Sequence, residues 1–268
     1  MITGLDHIVV AVADIDAATD SYRRLFGVEP DAEAGGGAQR RWFRFPNADL
    51  ELIAADGAGP AGDRVRARIE ADGEGMWALA FATPEPELAA KLLTRRGVRA
   101  ELLENGGGRA DPADTAGLQI FFRAPVARPP SAATARDAVA SLDHVVVGTA
   151  NPDRALALYG AKLGLDLRLD RENANWGARQ MFFKAGDAVV EIGASLKRPV
   201  SNEPDRFGGL AWRVIDPEAA QARLGAAGFN VSELRTGRKP GTKVFTVRDA
   251  PAGVPTLLIQ QNAQMETA

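Results

Sequence analysis

The chain has 268 residues, of which 46% are hydrophobic and 25% charged, with a net charge of -3. That is the profile of a globular protein with room for two ordinary domains, and it carries no basic excess or polybasic patch that would point to nucleic acid or a membrane surface. Cysteine is absent, which excludes disulfides, thiolate metal sites and cysteine nucleophiles and suits a reducing, cytoplasmic setting.

The N-terminus, Met1-Ile2-Thr3-Gly4, runs directly into an apolar strand and lacks the layout of a signal peptide. No apolar run reaches the roughly 18 residues of a membrane-spanning helix. The first strand is Leu5-Asp6-His7-Ile8-Val9-Val10. Asp14 and Asp16 then offer N-cap carboxylates to a helix with Ala18, Tyr22 and Leu25 on one face, which Gly27 ends in a left-handed turn. A Gly35-Gly36-Gly37 turn follows. Two further strands come next, one through Arg40-Arg41-Trp42-Phe43 and one through Leu50-Glu51-Leu52.

A weaker copy of this unit follows. It has a strand from Gly75 to Phe81, a helix from Pro84 to Arg96 closed by Gly97, and strands at Val98 to Leu103 and Leu118 to Phe122. Ala124 to Ala140 is rich in Pro, Ala and Ser and reads as a linker.

The second half repeats the first. Leu142-Asp143-His144-Val145-Val146-Val147 echoes the opening strand. Asn151-Pro152-Asp153 starts a helix with Leu156, Tyr159 and Leu163 on one face and Gly164 at its end. A polar loop leads to Arg179-Gln180-Met181-Phe182 and then to Val190-Glu191-Ile192. The last copy has a strand from Gly209 to Ile215, a helix from Pro217 to Ala227 closed by Gly228, and strands at Lys243 to Val247 and Thr256 to Gln260. Residues after Asn262 read as a tail. The plan is therefore α+β, with four βαβββ modules. Residues 1–125 form an N-terminal half, 126–140 a linker, 141–262 a C-terminal half and 263–268 the tail.

The chain contains two histidines, and both occupy the same place in the repeated strand. Each is followed at nearly the same offset by a glutamate, Glu51 or Glu191. Histidine is the usual proton carrier near neutral pH and the commonest metal ligand, so the repetition singles out these positions. A His–Glu hydrogen bond with no metal is the plainer reading, because a buried carboxylate needs a donor beside it. Trp42, Trp77, Trp176 and Trp212, with Phe43, Phe121 and Phe182, are wall candidates for a flat ligand, or core residues of twisted sheets. Arg40, Arg41 and Arg44 in the first half and Arg179-Gln180 in the second recur at the third strand, where an inward arginine would clamp a substrate carboxylate and one on a solvated face would do nothing chemical. The glycine loops open no helix, so no nucleotide site is read, and no G-x-S-x-G hydrolase signature occurs.

The pattern L-D-H-[IV]-V-V, a helix ending at Phe-Gly or Leu-Gly, and a strand ending in [LV]-E-[LI] resembles the vicinal oxygen chelate (VOC) superfamily, its glyoxalase-like and bleomycin-resistance-like branch above all. The resemblance covers nearly the whole chain. It implies that paired modules curl into two open-cup, barrel-like mixed sheets, each cup holding a divalent metal (Zn, Ni, Mn, Fe or Co). By resemblance His7 and Glu51 fill the ligand places of the first module, and His144 and Glu191 those of the third. Gln119 stands where the second module would carry a carboxylate, with Trp77 or Ala78 at its first-strand place. The fourth module has Leu210 or Ala211 there, and a leucine on its last strand.

Trp42, Trp77, Phe121, Arg179 and Trp212 are the substrate-binding candidates. Glu51 and Glu191 are the candidate catalytic groups, as ligands and bases. The reading favours a metal-dependent lyase or isomerase acting on a small oxygenated substrate. The alternative is a metal-free protein that sequesters a small molecule between aromatic walls. An extradiol-type oxygenase would need more histidines in one cup than the chain possesses. Which modules pair stays open, as does assembly as a homodimer.

Overall fold

The computed structural model describes residues 1–127, 135–237 and 241–260. The first half runs β1 (Gly4–Ala11), α1 (Ile15–Phe26), β2 (Asp31–Gly35), β3 (Ala38–Phe43), β4 (Asp49–Ala55), α2 (Pro60–Asp72), β5 (Gly75–Ala82), α3 (Pro86–Arg95), β6 (Ala100–Leu102), β7 (Gly108–Ala110) and β8 (Gln119–Arg123). The second half runs β9 (Val139–Thr149), α4 (Pro152–Leu156), β10 (Asp166–Asn173), β11 (Ala178–Ala185), β12 (Ala188–Ser195), β13 (Arg206–Val214), α5 (Pro217–Ala226), β14 (Arg235–Thr236), β15 (Lys243–Val247) and β16 (Thr256–Gln260). All four βαβββ modules are therefore present. Of the stretch read as linker, residues 128–134 lie outside the described residues, and β9 already includes Val139 and Ala140. The tail also lies outside them.

The strands form two mixed sheets, in the orders β2-β3-β4-β1-β5-β8-β7-β6 and β10-β11-β12-β9-β13-β16-β15-β14. Modules one and two share one sheet and modules three and four the other. Both sheets end in edge strands, so neither is a closed barrel. Among the described residues no helix is long and apolar enough to cross a membrane.

Local chemistry explains the helix ends. The Asp14 carboxylate accepts from the backbone N–H groups of Asp16 and Ala17, both at 3.0 Å, and Gly27 closes α1 in the left-handed region at φ 72°. Asn151 caps α4 by accepting from the Arg154 N–H, with Pro152 at the first turn. After five residues α4 widens into a π-helical stretch, Ala157–Lys162, before Gly164. Two differences from the sequence reading stand out. Where the second half reads as a polar loop, β10 forms, and residues 60–72 fold into α2.

Contact density divides the described chain into two compact units. One comprises Met1–Ile8, Trp77–Ala127 and His144–Gly208, and the other the remaining described residues. The first is cored by aliphatic strand residues with Tyr159 and Phe183, whose rings lie 5.7 Å apart. The second is cored by Tyr22, Phe26, Phe43, Phe45 and Trp212, a set of fully buried rings in edge and tilted contact.

In the second unit Gly62, on α2, lies against the Gly36–Gly37 turn. A Cβ at Gly62 would overlap the Gly37 carbonyl oxygen. Glycine in an exposed helix normally costs about 1 kcal/mol relative to alanine. Here the sign is reversed, and Gly62→Ala is expected to destabilise the protein by about 1–3 kcal/mol in urea unfolding. A stabilised variant would contradict the close approach.

Candidate functional site

The second half assembles one continuous polar face. β12 runs parallel to β9, with Val189 beside His144, Glu191 beside Val146 and Gly193 beside Gly148. On its other side β11 sets Phe182 opposite Glu191 and Gln180 opposite Gly193. β10 then sets Arg171 opposite Gln180. Residues paired across a sheet share a face, so Arg171, Gln180, Gly193 and Gly148 form one cross-strand row. Phe182, Glu191 and Val146 form the next.

Within this face His144 Nε2 lies 3.4 Å from Glu191 Oε2. Gln180 Nε2 donates to Glu191 Oε1 at 2.6 Å, and Arg171 Nη2 donates to Gln180 Oε1 at 3.2 Å. An amide between a carboxylate and a guanidinium has one orientation that satisfies both, so Gln180 is locked. The Arg171 guanidinium lies over the Phe182 and Trp176 rings, 5.7 and 5.8 Å from their centroids. The His144 and Glu191 side chains are 16% and 13% exposed, enough for a ligand to reach them.

The corresponding face of the first half is wired differently. Glu51 lies opposite Trp42, Arg40 opposite Ile53, and Glu33 opposite Arg40. Arg40 thus stands where Gln180 stands, and Glu33 where Arg171 stands. Arg40 Nε donates to Glu51 Oε1 at 2.9 Å, and the Trp42 Nε1–H donates to Glu33 Oε2 at 3.0 Å. Arg44 lies over the Trp42 ring at 4.6 Å and is paired with Asp49 and Asp31. His7 falls in the other compact unit. Its Nδ1 is 2.7 Å from the Asp6 carboxylate, and Arg123 Nε lies 3.9 Å from the same group.

The remaining candidates separate by strand register. β8 pairs with β5 so that Gln119 sits beside Ala78 and Phe121 beside Ala80. Gln119 and Phe121 are half-buried on one face, and Ile120 and Phe122 are buried on the other. Ala78, not Trp77, therefore shares a face with Gln119, because alternation along β5 turns Trp77 to the opposite side. Trp212 is fully buried, with ring centroids 4.7 Å from Phe26 and 4.9 Å from Phe45, so it is a core residue rather than a ligand wall. Arg179 alternates with Gln180 and points away from Glu191. Its guanidinium is held by both Asp170 oxygens, at 2.9 and 2.7 Å, and approaches Asp153 at 3.3 Å. That pairing holds Asp170 below the usual carboxylate range and raises Arg179, so no free clamp is left there.

The donor sets can be tested against a divalent metal, which commonly takes three or more protein ligands at a catalytic centre. Among the described residues no cluster of three or more His, Cys, Asp or Glu could hold one. In the first half a guanidinium occupies Glu51 Oε1. In the second the donor set is one imidazole and one carboxylate, His144 and Glu191, whose Oε1 also accepts the Gln180 amide N–H. Two protein donors fall short of that number, so the second-half pair does not fit the metal that the sequence resemblance implied. Arg171 and Gly193 were not among the sequence candidates, and Gln180 was singled out only as the neighbour of Arg179. Their signal was available only through the register, as the residues facing the repeated glutamate across β10 to β12.

A family model described as "Glyoxalase-like domain" matches residues 5–136, and one described as "Glyoxalase/Bleomycin resistance protein/Dioxygenase superfamily" matches residues 143–246. No curated protein sequence matches the chain. Among solved structures, a mutant 4-hydroxymandelate synthase from Streptomyces coelicolor is similar at 16% identity and a TM-score of 0.75, over 98% of this chain and 93% of that one. A xylose isomerase-like TIM barrel/4-hydroxyphenylpyruvate dioxygenase fusion protein is similar at 14% identity and a TM-score of 0.68, over 98% of this chain and 50% of that one. At such identities the likeness is one of fold.

Proposed function

As the chain belongs to the glyoxalase, bleomycin-resistance and dioxygenase (VOC) superfamily, carrying two of its domains in tandem, we propose that it binds a small organic molecule on the second-half face without a resident divalent metal. The observation that carries this reading is the occupation of the repeated glutamates. Glu51 is tied to Arg40 and Glu191 to Gln180. A guanidinium in contact with a carboxylate repels an incoming cation and supplies the charge a metal would have supplied. In the second half the His144–Glu191 pair remains reachable, so His144 is placed to exchange a proton with a bound molecule. The first-half face, closed by its own ion pair, serves the architecture.

A second reading is a glyoxalase-type, metal-dependent lyase or isomerase. It is favoured by one observation, the 3.4 Å approach of His144 to Glu191, which sets two donor types side by side.

With two histidines in the chain, nuclear magnetic resonance separates these readings. The full chain, stripped with chelator, is titrated with Mn(II) while the histidine ring protons are observed, His144→Ala providing the assignment. The metal-free reading predicts no selective broadening of the His144 resonance at equimolar Mn(II). Selective loss of that resonance at one equivalent would establish the metal reading in its place.

A further inference from the structure

We propose that the second-half face is specific for a planar organic carboxylate, whose ring lies on a floor made by Gly148 and Gly193 and whose carboxylate pairs with Arg171. The proposal rests on the small-molecule reading above and names its ligand class.

Three observations converge on it. The first is the floor. Gly148 and Gly193 are adjacent across β9 and β12, on the face that carries Glu191. A Cβ built on Gly193 would meet nothing within 4 Å, and one on Gly148 would meet only the Arg206 carbonyl oxygen at 3.8 Å. Neither glycine has a positive φ, so the backbone does not require glycine there. What the two residues provide is space over a flat peptide surface. In the first half the position opposite Arg40 is Ile53, which fills the corresponding place.

The second is the cation. Arg171 stands at the end of the same row. It makes one hydrogen bond, to the Gln180 amide, and its Nε–H is buried without an acceptor. Among the described residues it forms no ion pair, unlike Arg179 on the neighbouring strand and Arg40 and Arg44 in the first half. A guanidinium held against aromatic rings with no carboxylate of its own is a ready partner for an anionic ligand. The first half has Glu33 at this place, which would repel the same group.

The third is the wall. Phe182 and Trp176 flank the guanidinium, and Trp176 is 47% exposed. Aromatic surface thus lies at the guanidinium end of the row, the glycines at the other end beyond Gln180, and Glu191 on the neighbouring row of the same face, an arrangement on which a flat ring can lie.

Calorimetric titration of the chelator-treated full chain with benzoate and with its neutral analogue benzamide tests the assignment. Benzoate is expected to bind once per chain, and benzamide and the Arg171→Gln variant each to lose about tenfold in affinity or more. Gly193→Val, which puts side-chain bulk on the floor, is expected to abolish binding while leaving the unfolding temperature unchanged. Benzamide binding as well as benzoate, full affinity in Arg171→Gln or Gly193→Val, or no benzoate binding at millimolar concentration would each overturn it. A parallel titration with added Zn(II) keeps the two readings apart. Binding that requires zinc overturns the metal-free reading, whereas loss of acid-over-amide preference overturns only the ligand class.

Discussion

Replacing Trp212 with alanine is expected to destabilise the protein by about 3–5 kcal/mol, the usual cost of deleting a large ring from a closed core. Trp212 is fully buried, sits on β13 beside Leu258 of β16, and packs edge-on against Phe26 and at a tilt against Phe45. Its neighbours are themselves held in a ring cluster with Tyr22 and Phe43, so the surroundings have little freedom to collapse into the hole. Trp212→Phe should cost far less. It keeps most of the apolar contact and removes an indole N–H that is buried without a partner. Chemical denaturation measures both. A loss below about 1 kcal/mol for the alanine variant would mean that the ring faces a cleft, as expected for a ligand wall and not for a core.

The second large effect concerns the first-half ion pair. Arg40→Gln copies the residue that the second half carries at the same place, yet it is expected to cost about 2–3 kcal/mol, because the Glu51 side chain is only 8% exposed and loses the Arg40 guanidinium at 2.9 Å. The Glu51→Gln change in the same chain should recover most of that loss, since two amides can hydrogen-bond without a buried charge. A double-mutant cycle on unfolding free energies measures the coupling. Coupling below about 0.5 kcal/mol would show that the pair is a solvent-screened contact, and the first-half face would then be as open to a ligand as the second.

The parts of this molecule that were legible in the sequence are those with local chemical signals. Asp14, Gly27, Asn151 and Pro152 mark helix ends through their own side chains or backbone preferences, and each acts there as expected. The repeated His and Glu positions disclosed the duplication and the superfamily. β10 was missed because its first five residues are all solvent-exposed, so the strand lacks the apolar alternation that reveals a half-buried one. α2 was missed because its opening, Pro60-Ala61-Gly62-Asp63, reads as a turn, and the helix holds through contact with the Gly36–Gly37 turn and not through propensity.

At the candidate site the difficulty was register. A shift of one residue decides whether Trp77 or Ala78 accompanies Gln119, and whether Arg179 or Gln180 faces Glu191. A one-letter repeat cannot fix that choice. The replacement of Glu33 and Arg40 by Arg171 and Gln180 was visible only once strands were paired, because it redistributes charge across three strands.

On the reading proposed above, this superfamily member binds its ligand on the second-half face without a resident divalent metal. Elemental analysis of full-length protein, produced in medium supplemented with Zn, Ni, Mn, Fe and Co and purified without chelator, tests it most directly. Far less than one equivalent of any divalent metal per chain is expected, with His144→Ala and Glu191→Gln leaving the content unchanged. One equivalent in the parent protein that disappears in both variants would contradict it.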